Sequence, residues 1–449
     1  MRTFCFLIVI LCSTIARSQE NQIKKIFDEA LTNGKSYEML EFLSNNIGGR
    51  LSGSPQAAAA VEYTRQKMIE FGFDTVFLQP VMVPHWIRGE TEIGRIISKT
   101  VGSIDVNICA LGNSIGTGNG GVSSGIIEVQ NFEELEEMGI EKIEGNIIFF
   151  NRPMDPTLIQ TFSAYGGAVN QRGEGASEAA KYGAIGVVVR SMTLSQDDIP
   201  HTGSMNYSEG IAKIPAIAIS TNDANLLSTI LKTDKETQFY FETHSEMLPD
   251  VLSYNVVGEI YGSGFPDEYI IVGGHLDSWD LGDGSHDDGA GCVQSIEVLR
   301  LFKQLGIIPQ HTLRAVMFMN EENGLRGGRK YAELAELNNE THIAAIESDR
   351  GGFTPKGFTI GGSYEKISSW APLFQPYGIN EFIKGGGGAD IGPLREQGTT
   401  LIGYYPDPQR YFDYHHAASD TFDKVNKREL ELGAAAMAAL VYLIDTYGL

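Results

Sequence analysis

The residues best suited to chemistry follow a short apolar run, Tyr269–Val272, in the second half of the chain. His275 and Asp277 come directly after this run, and Asp287 precedes a glycine-rich helical pattern. A short apolar run is typical of a buried strand. Polar residues at the carboxyl end of such a strand lie where open α/β sheets bind their ligands. The stretch therefore predicts metal-binding groups at one edge of a sheet.

Three later segments end in groups of the same kind. Strands are predicted at Thr312–Met319, Ile343–Glu347 and Thr400–Tyr405, and each is followed by acidic residues or by histidines. Each motif alone has an ordinary structural explanation, such as a helix cap for an Asp-Asp pair or solvated surface for a Glu-Glu pair. Together they supply two imidazoles and five carboxylates, namely His275, Asp277, Asp287, Glu321, Glu322, Asp349 and His416.

The chemistry that this set supports is metal-assisted hydrolysis. Histidine and carboxylate are ligands that Zn²⁺ accepts. Two neighbouring ions can hold the attacking water and the carbonyl oxygen of a peptide bond at the same time. One carboxylate must then bridge the ions, and another must stay free of metal to take a proton from the water. Neighbours on an extended segment point in different directions, so Glu321 and Glu322 can divide these tasks.

The elements predicted around these residues are alternating strands and helices. This order indicates an α/β fold with a mostly parallel, mixed sheet flanked by helices. Helices are predicted at Gly289–Leu305 and Arg428–Tyr447, and the apolar run of the second is too short to cross a membrane. Earlier in the chain the sequence predicts helices within residues 37–75, a strand at Thr75–Gln79 and a loop at Pro84–Trp86.

The N-terminal residues have the features of a secretory signal. Arg2 gives a basic start, Phe4–Leu11 an apolar core, and Ala16–Ser18 a small-residue cleavage site. The predicted location is therefore extracytoplasmic: periplasmic in a bacterium, extracellular or lysosomal in a eukaryote, with no membrane anchor after signal removal. The net charge of -23 disfavours nucleic acid as a partner. Two of the four cysteines leave with the signal, so a metal site must use histidine and carboxylate.

The length of 449 residues favours two domains. The segment Gly112–Gly125 is rich in glycine, serine and asparagine and indicates a boundary. The block that follows resembles the protease-associated domain, a small α/β module inserted in several peptidases, in its segments GEGASEAAKYGAIGVVV and KIPAIAIS. We therefore expect a signal peptide at residues 1–18, a catalytic domain built from residues 19–118 and 251–449, and an inserted domain at residues 119–250.

Four motifs together resemble the co-catalytic zinc exopeptidase family, which includes bacterial aminopeptidases, and in particular its secreted carboxypeptidase branch. The motifs are HLDSWDLGDGSHDDGAG, NEEN, ESD and YFDYHHAASDT. The resemblance covers almost the whole mature chain and implies two Zn²⁺ ions per chain. The implied ligands are His275 and Asp349 for one ion, Glu322 and His416 for the other, and Asp287 as the bridge.

The resemblance also implies the roles of the remaining residues. Glu321 would be the general base, and Asp277 would orient the first histidine and fix its tautomer. The family places the second histidine ligand four residues before the Asp of the closing motif, here Asp420. That spacing selects His416 over its neighbour His415.

The predicted function is that of a secreted zinc-dependent exopeptidase that hydrolyses dipeptides or short peptides. A water that bridges the two ions and is activated by Glu321 would attack the peptide bond. An aminopeptidase on the same scaffold is the nearest alternative. A glutaminyl cyclase-like enzyme with a single zinc and a non-catalytic receptor-like protein are more distant ones. The family resemblance also suggests a homodimer.

Overall fold

The structure is a computed structural model that describes residues 19–449. The predicted signal sequence, residues 1–18, lies outside the described residues. Across residues 19–449 the chain forms sixteen strands in two eight-stranded sheets. The strands are β1 (Thr75–Ile87), β2 (Ile93–Ser98), β3 (Gly102–Val106), β4 (Ile108–Ala110), β5 (Val122–Val129), β6 (Ile147–Phe150), β7 (Gly186–Arg190), β8 (Ala216–Ile219), β9 (Gln238–Glu242), β10 (Glu246–Ile260), β11 (Phe265–His275), β12 (His311–Phe318), β13 (Thr341–Glu347), β14 (Pro355–Ile360), β15 (Glu381–Lys384) and β16 (Thr400–Pro406).

Helices connect and cover these strands. The α-helices are α1 (19–33), α2 (Ser36–Phe42), α3 (Pro55–Glu70), α4 (Phe132–Ile143), α5 (Thr161–Gly166), α6 (Asn170–Gly173), α7 (Gly175–Ala180), α8 (Thr221–Thr233), α9 (Ala290–Gln304), α10 (Arg326–Leu337), α11 (Tyr364–Ser368), α12 (Ala371–Phe374), α13 (Tyr411–Tyr414) and α14 (Lys427–Tyr447). Short π or 3₁₀ turns lie at Leu43–Ile47, Ser285–Gly289, Gln375–Tyr377, Gly392–Gln397 and Phe422–Lys424.

The first sheet has the strand order β1-β10-β12-β11-β13-β16-β14-β15. Its centre is parallel, because β11 pairs with β12 and β13, and β13 pairs with β16. The pairs β1–β10, β10–β12 and β14–β16 are antiparallel. Strand β12 is buried along its whole length, as expected for a strand with helices on both faces. The predicted mixed α/β sheet is confirmed, and the carboxyl ends of β11, β12, β13 and β16 meet at one edge.

Helices α9 and α14 supply much of the main hydrophobic core beside this sheet. Helix α14 reaches the length and hydropathy of a membrane-spanning helix, which the shorter predicted apolar run did not. Its most apolar window has a mean hydropathy of 1.3, and 78% of that window is buried inside the protein. Burial of this extent indicates a core helix.

Strand β1 is much longer than predicted, and the predicted loop at Pro84–Trp86 was wrong. These residues continue β1, with a register shift between Val83 and His85. Strand β1 is an edge strand, and proline is tolerated at the irregularities of edge strands because no ladder hydrogen bond is lost there. Pairing with the long strand β10 therefore overrides the local turn signal.

The second sheet has the order β3-β2-β9-β5-β6-β7-β8-β4. Its centre, β6, β7 and β8, is fully buried, as the apolar runs predict. Strands β2, β3 and β4 belong to it although they precede residue 119, where we expected the insert to begin. We call the second sheet and its helices the second body. The glycine-rich segment Gly112–Gly125 leads from β4 into β5 and therefore lies within the second body. Strand β10, which begins at Glu246, already belongs to the first sheet.

Candidate metal centre

The ends of the four central strands bring the predicted site residues together. His275 is the last residue of β11, and Asp287 lies in the turn before α9. Glu321–Glu322 follow β12, and Asp349 follows β13. His415–His416 follow the short helix α13, beyond β16. Parallel pairing of these strands is what places groups so far apart in sequence at one edge of the sheet.

Asp287 lies between two imidazole rings. Its Oδ1 is 3.3 Å from Nε2 of His275, and its Oδ2 is 3.4 Å from Nε2 of His416. Asp349 completes the first side, with Oδ1 3.4 Å from Nε2 of His275. Glu322 completes the second, with Oε2 3.0 Å from Nε2 of His416. One carboxylate therefore faces two groups of potential ligands.

His415 is the alternative to His416 as the histidine ligand on the Glu322 side of Asp287. Its Nε2 lies 3.8 Å from Oδ2 of Asp287, farther than that of His416. The two rings stack with centroids 3.5 Å apart. Burial lowers the pKa of His415 to about 3 and that of His416 well below its usual value, so both rings can offer a lone pair. The shorter distances favour His416, as the motif spacing predicts.

The second sheet holds the segment that carries these histidines. The backbone N–H of Thr202 donates to the carbonyl oxygen of His416 at 2.9 Å. The ring Nδ1 of His201 lies 2.7 Å from the carbonyl oxygen of His415, and His201 forms an isolated β-bridge with Ala417. The position of the His415–His416 segment thus depends on both sheets.

Asp277 contacts both His275 and the turn that follows β12. Its backbone carbonyl oxygen, rather than its carboxylate, lies 2.8 Å from Nδ1 of His275. That contact leaves Nε2 of His275 free to bind a metal. The Asp277 carboxylate instead accepts from the backbone N–H groups of Asn320 at 2.6 Å, Glu321 at 3.1 Å and Glu322 at 3.3 Å. It therefore fixes the turn that carries the two glutamates.

Glu321 lines the cavity beside this cluster. Its pKa is raised to about 8, first by burial; His275 opposes this, while nearby carboxylates, Asp349 first among them, add to it. A carboxylate with a raised pKa is suited to accept a proton near neutral pH.

The donor set demands positive charge. The pKa of His275 is raised well above its usual value because Asp287 and Asp349 outweigh the effect of burial. Oδ2 of Asp287 and Oε1 of Glu322 are buried and have no hydrogen-bond partner among residues 19–449. Buried polar atoms without partners are costly, and a cation would satisfy them.

The potential ligand atoms form two groups that share Asp287, namely His275–Asp287–Asp349 and Asp287–His415–His416. Within each group the ligand atoms lie within 4.8 Å of one another. These are donor types and numbers that fit divalent metal ions such as zinc. The residues present therefore fit the metal chemistry expected from the sequence.

Two residues to which the sequence analysis gave no structural role hold the segment around Asp287. Asp420 accepts through its carboxylate from the backbone N–H groups of His286 at 2.8 Å and Asp287 at 3.0 Å. Arg50 is fully buried and donates to the carbonyl oxygens of three residues that follow β11. These bonds go to Leu276 at 2.6 Å, Asp283 at 2.7 Å and Gly284 at 2.9 Å. Asp420 belongs to the YFDYHHAASDT motif, whereas Arg50 lies outside the four quoted motifs.

The cluster opens into a cavity of about 490 Å³ between the two sheets. The edge of the first sheet contributes Glu321, Glu322 and Asp349, and the second sheet and its helices contribute aromatic and polar side chains. Those side chains are Phe162, Tyr165, Arg172, Ser204 and Asn206. The volume is in the range of small-molecule sites.

A parallel α/β sheet edge with a shared carboxylate between two donor groups is suited to metal-dependent hydrolysis. Residues 255–441 match the model of Peptidase family M28. Carboxypeptidase Q of Bos taurus is 35% identical over 416 residues, which are 91% of this chain and 85% of that protein. The chain therefore belongs to peptidase family M28, and the predicted class of metallo-exopeptidase is confirmed.

Solved structures agree with this membership. A peptidase M28 precursor from Shewanella amazonensis SB2B has a TM-score of 0.91 and 32% identity, over 96% of this chain and 98% of that one. BSAP, a zinc aminopeptidase from Bacillus subtilis, has a TM-score of 0.65 at 18% identity, over 92% of this chain and 95% of that one. The second likeness shows a shared fold only.

Proposed function

We propose that the protein is an extracytoplasmic di-zinc exopeptidase that removes residues from the carboxyl end of short peptides, dipeptides included. The observation that carries the proposal is the place of Asp287 between two imidazole–carboxylate pairs. His275 and Asp349 would hold one zinc ion, Glu322 and His416 the other, and Asp287 both. Such ions polarise a peptide carbonyl and lower the pKa of a water when bound.

The chain's own residues then complete the reaction. Glu321 accepts a proton from the attacking water and delivers it to the nitrogen of the leaving amine. Asp277 keeps the Glu321 carboxylate in place through the backbone N–H groups that it binds. Asp420 does the same for Asp287. The aromatic wall of the cavity, from Phe162 to Tyr165, excludes water from one side of the substrate.

The direction of attack is supported by the carboxypeptidase Q relatives, and the predicted signal at residues 1–18 supports export. An aminopeptidase on the same fold remains the specific rival. Tripeptides with three different residues, blocked at either the amino or the carboxyl end, separate the two on the zinc-loaded protein. Release of the carboxyl-terminal residue from amino-blocked peptides is expected, and release that requires a free amino end would overturn the assignment.

The metal requirement has its own test. A chelator is expected to abolish hydrolysis, and zinc to restore it, with two zinc ions per chain at full activity. Metal analysis by mass spectrometry gives the count. One ion per chain together with no peptide hydrolysis would favour the single-zinc, cyclase-like alternative. Two bound ions without hydrolysis of any peptide would favour a binding protein.

A further inference from the structure

Arg172, on the short helix α6 of the second body, lies at the cavity wall beside the metal centre. It is only 7% exposed. Its Nη2 donates to the hydroxyl of Tyr165 at 2.6 Å. Its Nη1 lies 3.3 Å from Nδ1 of His416 and 3.5 Å from the carbonyl oxygen of Thr202. Its Nε is buried and has no hydrogen-bond partner in the described part of the chain.

Arg172 lacks the carboxylate partner that several largely buried arginines have. Arg88, Arg300 and Arg314 each place a guanidinium nitrogen 2.6–2.7 Å from a carboxylate oxygen. For Arg172, no carboxylate of residues 19–449 comes within the 4.0 Å of an ion pair. An uncompensated buried charge costs several kcal/mol. A group that enters the cavity with a negative charge would therefore be stabilised there.

A metal ion bound to His416 would remove the hydrogen bond between Arg172 and the His416 ring. When Nε2 of a neutral histidine binds a metal, Nδ1 carries the ring proton and cannot accept a hydrogen bond. The guanidinium would then keep its bond to Tyr165 and only a long contact to Thr202. Its remaining N–H groups form a fork that suits the two oxygens of a carboxylate.

The cavity carries four acidic side chains, and three of them would be neutralised as metal ligands. Among the groups of a peptide, the free α-carboxylate is the one anion that every substrate of a carboxypeptidase has. One residue spans about 3.5 Å of chain. Only the His416 ring separates Arg172 from Nε2 of His416, the proposed ligand atom. A substrate carboxylate bound to Arg172 would therefore leave room for about one residue between that carboxylate and the cleaved bond.

We propose that Arg172 binds the free α-carboxylate of the substrate and so restricts cleavage to the last peptide bond. The proposal rests on the proposed function and names the substrate group that the site selects. Arg329, which also lines the cavity but is exposed, is the natural alternative anchor and the matched control.

The test compares a dipeptide with its carboxyl-terminal amide on the zinc-loaded protein and on its Arg172→Met, Arg172→Lys and Arg329→Met variants. Loss of a charge-assisted bidentate pair is expected to lower kcat/KM for the free acid by roughly 10- to 100-fold in Arg172→Met. The amide should change by less than about threefold, and Arg172→Lys should recover part of the loss on the acid. Arg329→Met should change kcat/KM for neither the free acid nor the amide.

Binding provides a readout that does not depend on turnover. In the Glu321→Gln background, calorimetry should show tighter binding of the dipeptide than of its amide, and Arg172→Met should remove the difference. Zinc content and far-ultraviolet circular dichroism exclude a folding defect.

Equal losses on acid and amide would overturn the proposal, as would no preference for the acid in the unsubstituted protein, or a loss confined to Arg329→Met. If the zinc-loaded protein cleaved no peptide at all, the proposed function would fail instead.

Discussion

The buried carboxylate of Glu431 gives a stability prediction that is independent of the metal centre. Glu431 lies near the start of α14 and is buried. Its Oε1 accepts from the backbone N–H of Tyr37 at 3.0 Å. Its Oε2 has no hydrogen-bond partner within residues 19–449. The pKa of Glu431 is raised from 4.5 to about 7, first by burial and then by Glu297, with the Tyr37 N–H opposing the shift.

A raised folded-state pKa means that the folded protein binds the proton more tightly than the unfolded chain does. The stability contributed in this way is complete below the unfolded value of 4.5 and is lost as the pH rises through about 7. A shift of this size corresponds to at most about 3 kcal/mol. Glutamine resembles the protonated glutamate, so Glu431→Gln should remove this part of the pH dependence.

Urea unfolding of the chelated protein at about pH 5 and about pH 8 measures the effect without a contribution from metal binding. Glu431→Gln should exceed the unsubstituted protein by about 1 kcal/mol at the lower pH and by about 3 kcal/mol at the higher pH. Glu336→Gln, at an exposed position of α10, is the control and should show no such difference. The same stability change at both pH values in Glu431→Gln would refute the reasoning.

Three further substitutions test the metal centre and its supports. Glu321→Gln should keep its zinc and lose about 10²- to 10⁴-fold in kcat, because the proton acceptor is gone; steady-state kinetics and metal analysis measure both. Asp420→Asn should weaken zinc binding about 10- to 100-fold, because the N–H groups of His286 and Asp287 lose their anionic acceptor; competition with a chelating dye measures it. Arg50→Met should lower the free energy of unfolding by about 3–5 kcal/mol, because three buried carbonyl oxygens lose a charged donor; urea unfolding measures it.

Specific results would contradict each of these. Near-normal turnover in zinc-loaded Glu321→Gln would show that Glu321 is not the proton acceptor. Unchanged zinc affinity in Asp420→Asn would show that Asp287 is held by the surrounding fold alone. An Arg50→Met protein as stable as the original would show that water or neighbouring groups replace the guanidinium.

The strands and helices that form the edge of the first sheet were predictable because their signals are local. The runs that become β12, β13 and β16 are apolar and are followed by polar residues, and α9 begins within a residue of its predicted start. The ligands could be proposed because each follows such a run in a recognisable motif. Their roles remain predictions that the substitutions above address.

The differences from the sequence-based expectations arise from contacts between distant segments. Strand β1 continues through Pro84 because β10 lies beside it, and β2 joins the second sheet because β9 pairs with it. The carboxylate of Asp277 binds the turn after β12, a contact between distant segments that the motif alone does not indicate. Arg172 has no motif around it that indicates a site, and only the fold brings it to the cavity.

The contacts of His201 and Thr202 with the His415–His416 segment have a consequence for how this chain can be rearranged. The second body is not structurally independent of the first sheet, because its backbone holds a segment that carries a proposed ligand. A chimera that exchanges this body with that of a relative would have to exchange residues 201–203 and 415–417 together. The two segments form one structural unit, although more than 200 residues of sequence lie between them.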